Sequence, residues 1–312
     1  MNTDELFYQQ IKESPSIVIF SHHFPDGDCL GSMNGLRRAL RALFPEKKIY
    51  GLAERSKKWE MFFECGDEVS DEIIADSLAI IVDHNSMDRV CDKRVRLAKK
   101  GIRFDHHIGG KVPYSFPALC DVDACSASEV ILKWFLRLDL PIPTQSVQDF
   151  YIAFLDDTLQ YTVHNAPTQL NEIDAAFQRL GGDKEKASYA VAYKSPAVAA
   201  YEGLIKQRRV ERCGIAYAIM KEEDYLPLDI SYEEVGAKST VLGEESEADV
   251  LLLFTHAPDE IRLSARSRKD FSVEALCKYF GGGGHIQAAG AVFPPDFDCL
   301  QVIEKALAMK GF

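Results

Sequence analysis

The chain has 312 residues, enough for two cores of ordinary size, and its 46% hydrophobic and 27% charged residues exclude a disordered or fibrous protein. A formal net charge of −12 excludes a protein that holds long nucleic acid by its own charge, but not one that takes a short anion through a divalent ion, which reverses the local field. Eight cysteines without a single C-x-x-C pair argue against a zinc knuckle or a disulfide framework and predict reduced thiols. No apolar run is long enough to span a membrane, and the opening MNTDELFYQQIKES is too polar for a signal peptide, so a cytoplasmic protein with no membrane partner is expected.

In the first half, short apolar runs alternate with helical patterns. SIVIF (16–20) predicts a buried strand, and CLGSMNGLRRALRALF (29–44) a helix with Leu36, Leu40 and Leu43 on one face. KIYGLA (48–53) and LAIIV (78–82) predict two more strands. RVRLAKK reads as helical before a fourth strand, IRF (102–104). SASEVILKWFLRL (126–138) predicts a helix whose Ser126 and Glu129 have the spacing of a capping box. This alternation implies an α/β fold with a doubly wound parallel sheet and helices on both faces. From about 150 to 205 the pattern is helical, and AVAAYEGLIKQRRVER bridges to a second, smaller α/β unit. Its predicted strands are GIAYAIM (214–220), VLLLFTH (250–256) and EIRLSARS (260–267), followed by a helix SVEALCKYF and the run GGGGH. The expected domains are therefore 1–190, a helical linker 191–212, and 213–312.

Metal-type residues stand where apolar runs end. HHFPDGD follows SIVIFS and supplies His22, His23, Asp26 and Asp28. Asp83 and His84 follow LAIIV, Asp105, His106 and His107 follow IRF, and Asp156 and Asp157 follow YIAFL. In open parallel sheets ligands bind beyond the carboxyl ends of the strands, so the first three clusters should converge, with the fourth joining from a helix. Each cluster alone is equally a polar turn, a strand-end cap or a surface pair. Together, as His and Asp without Cys, they suit a hard or borderline divalent ion such as Mn2+. Asp121 and Asp123 read as loop and helix-start residues. GGGGH lets amide N–H groups approach a phosphate closely, though in isolation it is as readily a turn.

SHHFPDGDCLGS, VDH, DHH and an Asp before Thr158 resemble the four motifs of the DHH phosphoesterases. FGGGGHIQAAG (280–290) resembles the signature of their associated C-terminal domain. The motifs occur in family order over nearly the whole chain. The arrangement is most similar to the short RecJ-like group that degrades oligoribonucleotides and dephosphorylates 3′-phosphoadenosine 5′-phosphate (pAp).

The resemblance implies a phosphoesterase with two Mn2+ ions, for which Mg2+ or Co2+ would substitute. It assigns the first ion to His22, Asp26 and Asp83, and the second to Asp28, Asp83, His106 and Asp157, with Asp83 bridging. It makes Asp105 and His107 catalytic, the former orienting a His ring and the latter facing the substrate. Because the family places its fourth ligand directly before Thr, Asp157 is selected over Asp156. Leu159 stands where the family has Gly. Arg266, Gly281, Gly282, Gly283, Gly284 and His285 are implied to hold substrate phosphate, the guanidinium fork suiting that task, with Arg268 a weaker candidate. His23 and His84 are expected to brace the site, and KQRRVER to be a solvated face. The implied partners are short RNA oligonucleotides or small phosphonucleotides rather than long duplex DNA, and a homodimer is left open. Three other readings remain open: a cyclic dinucleotide phosphodiesterase, a pyrophosphatase or exopolyphosphatase, and a nucleotide sensor without turnover.

Overall fold

A computed structural model describes residues 2–107, 109, 115–162, 170–230, 235, 238–268 and 270–312. The chain forms two compact units, Met1–Tyr193 and Lys194–Phe312. In the first, helix α1 (Thr3–Glu13) leads into strand β1 (Ser16–Phe20), followed by α2 (Gly27–Leu43), β2 (Lys48–Leu52), α3 (Asp71–Asp76), β3 (Leu78–Val82), β4 (Lys100–Asp105) and β5 (Ala118–Cys120). Four helices follow: α4 (Ala127–Arg137), α5 (Thr144–Asp157), α6 (Leu170–Arg179) and α7 (Lys184–Ala192).

All strand pairs of this unit are parallel, in the order β2-β1-β3-β4-β5. Every residue of β3 is buried because both faces of the sheet are covered. Ile17, Ile19, Ile80, Val82 and Phe104 pack with residues of α2, α4 and α5, whereas Val18, Phe20, Ala79 and Ile81 pack with Ile74 of α3 and Val95. Fully burying each of the Val, Ile and Phe side chains among these contributes roughly 1.5–3 kcal/mol. One expectation changes here. RVRLAKK is not an α-helix but a 3₁₀ turn, Lys93–Leu97, because β4 starts at Lys100 to pair with Leu78 and leaves too few residues for a helix.

Helices α2 and α5 approach closely through a row of glycines one turn apart. A Cβ on Gly31 would lie 2.5 Å from the Asp149 carbonyl oxygen, one on Gly35 2.5 Å from the Phe150 ring, and one on Gly27 2.6 Å from the Asp156 carboxylate. This row brings the C-terminal end of α5 against the N-terminal end of α2.

The second unit opens with α8 (Pro196–Arg208) and continues through β6 (Val210–Arg212), β7 (Ile215–Met220), β8 (Val250–His256), β9 (Ile261–Ser267), β10 (Gly283–His285) and β11 (Ala288–Phe293). The six strands have the order β10-β11-β9-β8-β7-β6, with β7 and β8 parallel and the other pairs antiparallel. One face carries Leu252, Phe254, Leu263 and Ala265 against the helices Val273–Tyr279 and Leu300–Met309. The other carries Ala216, Ala218, Leu251 and Leu253 against Tyr201 and Ile205 of α8. The stretch read as a bridge thus supplies part of this unit's core.

Candidate metal centre

The strand order reverses between β1 and β3, since β2 lies on the far side of β1. That reversal leaves a crevice at the carboxyl ends of the two strands. Directly beyond these ends lie His22 and Asp83, with His22 Nε2 3.3 Å from Asp83 Oδ2 and 3.7 Å from Asp26 Oδ1. Asp83 has a left-handed backbone, φ 62°, a conformation short polar residues tolerate and one that turns the chain sharply at the strand end. Beyond β4, His106 Nε2 lies 3.4 Å from Asp83 Oδ1, 3.4 Å from Asp157 Oδ2 and 3.8 Å from Asp28 Oδ2. The six residues expected to be ligands therefore converge, with Asp83 between the two imidazoles.

Both imidazoles have one nitrogen fixed by backbone. His22 Nδ1–H donates to the His23 carbonyl at 2.8 Å, and His106 Nδ1–H to the Ala124 carbonyl at 3.3 Å. Each ring thus presents Nε2 to the carboxylates, the orientation found in metal-ligating histidines. Asp28 is fully buried: its Oδ2 accepts the Ala127 N–H at 2.7 Å and its Oδ1 the Ser128 N–H at 3.2 Å, so it also caps α4. The Ser32 hydroxyl also donates to Oδ1 at 3.2 Å, and since a carboxylate has about four acceptor positions, this still leaves capacity for a cation. Asp26 caps α2 by accepting the Cys29 N–H at 3.0 Å.

The charges are out of balance without a cation. Burial, then the charges of Asp83, Asp157 and Asp26, hold Asp28 well above the usual carboxylate range. Asp157 is pushed up to about 7 by burial, with Asp83 and Asp26 adding to it against His106. Burial opposes charge on Asp83 as well, but hydrogen bonds from His106 and His22 outweigh it and hold the group low. His106, which burial would lower, is raised to about 9 by Asp83 and Asp157. Asp83 Oδ1 is buried, and among the described residues it has the His106 imidazole facing it at 3.4 Å but no well-formed hydrogen bond. A buried carboxylate oxygen facing an imidazole Nε2 and further acid oxygens is a donor set that fits a divalent cation.

The neighbouring residues brace this cluster. Asp105 is fully buried and takes His107 Nδ1–H at 2.9 Å and the His106 N–H at 2.9 Å on Oδ1, while Arg103 donates to its Oδ2 at 3.1 Å. It therefore orients the ring of His107 rather than that of His106. Asp156 does not face the cluster. It accepts the Gly27 N–H at 2.8 Å and pairs with Lys58 at 3.3 Å, tying α5 to the start of α2. His23 pairs with Glu54 at 2.5 Å. His84 is buried edge-on to His22 at 6.1 Å, and burial lowers it to about 3, so it stays neutral. Asp121 accepts the Asp123 N–H and pairs with Lys133.

Leu159 has φ 46°, followed by Gln160 and Tyr161 at 53° and 68°. A left-handed backbone is why glycine suits this position. Here the turn is held from outside, by the Tyr161 hydroxyl on Asp174, an acid that Tyr151 also engages. The sequence reading set cysteine aside, yet Cys29 Sγ joins His22 and Asp83 within ligand distance. It accepts the His22 N–H at 3.3 Å, and burial raises the thiol to about 12. A buried neutral thiol is a poor ligand for a hard cation and serves as a packing and hydrogen-bonding group.

In the second unit, Arg266 pairs with Ala288 across β9 and β11, and Ala288 with His285 across β11 and β10. Arg266 and His285 therefore lie in one row on one sheet face, with only an alanine methyl between them. Gly283, Gly290 and Ser264 form the parallel row next to it on the same face. The glycine run differs from a four-amide phosphate nest. Gly281 N–H donates to Lys278 at 3.1 Å and Gly282 N–H to Cys277 at 2.8 Å, closing the helix Val273–Tyr279. Gly282 and Gly284 are close-approach positions, where a Cβ would lie 2.2 Å from the Gly290 and 2.5 Å from the Ala288 carbonyl oxygen. Arg268 donates to the carbonyls of Ser246 and Gly243, a bracing role. In KQRRVER, Arg208 pairs with Asp224 and Arg212 with Glu304.

Residues 16–154 match the DHH family, N-terminal domain, and residues 215–309 the DHHA1 domain. A Streptococcus mutans relative, called a probable bifunctional oligoribonuclease and PAP phosphatase NrnA, is 29% identical over 292 residues, covering 90% of this chain and 91% of its own. The Bacillus subtilis bifunctional oligoribonuclease and PAP phosphatase NrnA is 25% identical over 280 residues, 88% of each chain. The fold is shared with an exopolyphosphatase-related protein from Bacteroides fragilis, with a TM-score of 0.81 at 20% identity over 98% of this chain and 95% of the other. It is also shared with RecJ in complex with Mn2+ from Thermus thermophilus, with a TM-score of 0.57 at 15% identity over 99% of this chain and 54% of the other. Among the described residues, no helix is long and apolar enough to cross a membrane.

Proposed function

The chain belongs to the DHH family of phosphoesterases, carrying a DHH domain and a DHHA1 domain, and on that premise we propose that it hydrolyses short oligoribonucleotides and pAp with the help of two Mn2+ ions. The observation that carries this reading is the convergence of two backbone-oriented imidazoles and four carboxylates on the β1/β3 crevice, with one oxygen of the buried Asp83 turned to each imidazole. Relatives whose names give that pair of activities cover nine-tenths of the chain or close to it.

By the family resemblance, His22, Asp26 and Asp83 would hold one ion and Asp28, Asp83, His106 and Asp157 the other; Asp83, with one oxygen toward His22 and one toward His106, suits the shared position. Bound there, the ions would neutralise phosphate charge and make a water acidic enough to supply a nucleophile near pH 7. The chain's own groups do the rest. Asp105 holds the His107 ring by Nδ1, leaving Nε2 for a phosphate or leaving oxygen. Arg266 and His285, in one row over small residues, present donors to a substrate phosphate.

The test is release of mononucleotide or phosphate by purified protein with Mn2+ from dinucleotides, pAp, cyclic di-AMP and pyrophosphate. Turnover of the first two is expected. Turnover of pyrophosphate alone, or of cyclic di-AMP alone, would move the function to that substrate.

A further inference from the structure

Phe24 stands between His22 and Asp26, in the loop that carries two candidate ligands, and it is 72% exposed. Its backbone is left-handed, φ 54°, which L side chains rarely adopt. Pro25 follows, and a residue before proline favours extended backbone, so the conformation is disfavoured on two counts. Glu54 holds it nonetheless. Its Oε2 accepts the Phe24 N–H at 2.8 Å, and its Oε1 takes His23 Nδ1–H at 2.5 Å. The His23 ring lies 6.3 Å from it, tilted. The first unit therefore holds the backbone of a large, exposed aromatic residue in a disfavoured conformation, in the loop between two candidate ligands. Strain maintained by surrounding contacts is typical of sites that meet a ligand.

The ring's place limits what it meets. A substrate whose phosphate reaches the His22 and Asp26 carboxylate cluster passes this loop, and a nucleotide brings a flat base with it. Base–aromatic stacking tolerates any base, because every base has a π-face, and this suits an enzyme acting on short RNA of mixed sequence. We propose that Phe24 is the platform on which a nucleobase of the substrate stacks, and that Glu54 sets its position. This rests on the nucleotide-hydrolase reading above.

The test compares wild type, Phe24→Ala and Phe24→Trp, each loaded with Mn2+, on a 5′-phosphorylated diadenylate and on the same molecule with either base replaced by an abasic ribose. Loss of stacking should raise KM for the diadenylate about 5- to 100-fold in Phe24→Ala, with Phe24→Trp near wild type. Removing one of the bases should cost the wild type a similar factor and cost Phe24→Ala nothing further. Manganese content and Tm should match wild type, since the ring is exposed. The proposal is overturned if Phe24→Ala retains the wild-type preference for base-bearing over abasic substrate. A wild type that cleaves no nucleotide would overturn the functional reading and this proposal together, and that arm alone identifies it.

Discussion

The two units present their candidate functional groups in opposite ways. In the first, Asp28, Asp83 and Asp105 are almost fully buried, and the His22 and His106 imidazoles that face Asp83 are each tied to a carbonyl. In the second, His285 is exposed and Arg266 half-buried, donating to the neighbouring Ala265 carbonyl at 3.1 Å. Groups that must hold a cation in fixed geometry need low dielectric and mutual support. Donors that only meet a phosphate need to point the right way and can stay solvated. Substitutions should therefore be severe and cooperative in the first unit, and graded in the second.

The largest effect is expected at Asp83. Asp83→Ala removes the group both imidazoles face, so both ions and on the order of 10³-fold or more of the turnover should be lost. Elemental analysis beside kcat checks it, and retention of both ions would dissolve the contrast between the units. Next comes the pair at the end of α5. Asp157→Asn should lower Mn2+ affinity and cost about 10²-fold in activity. Asp156→Asn, which disturbs only the Gly27 and Lys58 contacts, should cost about 10-fold or less. The reverse ranking would shift the ligand by one residue.

A smaller effect is expected in the second unit. Arg266→Ala and His285→Ala should each raise KM about 10-fold and leave manganese content unchanged. Loss of metal in either variant would show that the units are not separable in this way.

The smallest effect is one of pH. Asp157, raised from 3.8 to about 7, keeps a proton in the folded state that the unfolded chain has already released. Between those values the folded state binds more protons, so stability falls as pH rises. His106, raised from 6.5 to about 9, stabilises the fold below 6.5 and loses that contribution on the way to 9, in the same direction. Asp83, held low, is ionised in both states across this window and adds no slope. His84, lowered from 6.5 to about 3, gives the opposite slope below pH 6.5, so with EDTA the fall in Tm should be clearest between about pH 6.5 and 9. With Mn2+ the Tm should rise between about pH 5 and 8, because binding needs deprotonated ligands. A Tm in EDTA that rises above pH 6.5 would show that the carboxylates are not crowded as described.

The candidate ligand clusters are legible in the sequence because each directly follows an apolar run, and strand ends in a parallel sheet converge by construction. What escaped is non-local. Asp28 capping α4 joins residues about a hundred apart in the chain, and Asp156 meeting Gly27 joins residues 129 apart. No window of sequence shows such pairs. The glycine run was ambiguous for another reason: glycine closes a helix as readily as it approaches a phosphate. Here Gly281, φ 81°, does the former. Ser126 caps α4 as its spacing implied, but Glu129 returns to the Cys125 N–H rather than to that of Ser126.

Gly27, Gly31 and Gly35 act together as a gauge block. They set how far α5 lies from α2, and so where the acid at the tip of α5 stands relative to the acids at the start of α2. At Gly31 the gauge bears on a carbonyl oxygen, which has no rotamer to yield. An added methyl there, two turns of α5 away from the reactive residues, would be passed along the helix as a displacement of Asp157 rather than absorbed where it arose. The tolerance of the catalytic machinery is thus held by residues with no chemistry of their own, and a screen for lost activity should find lesions in the middle of this helix pair as well as at its tip.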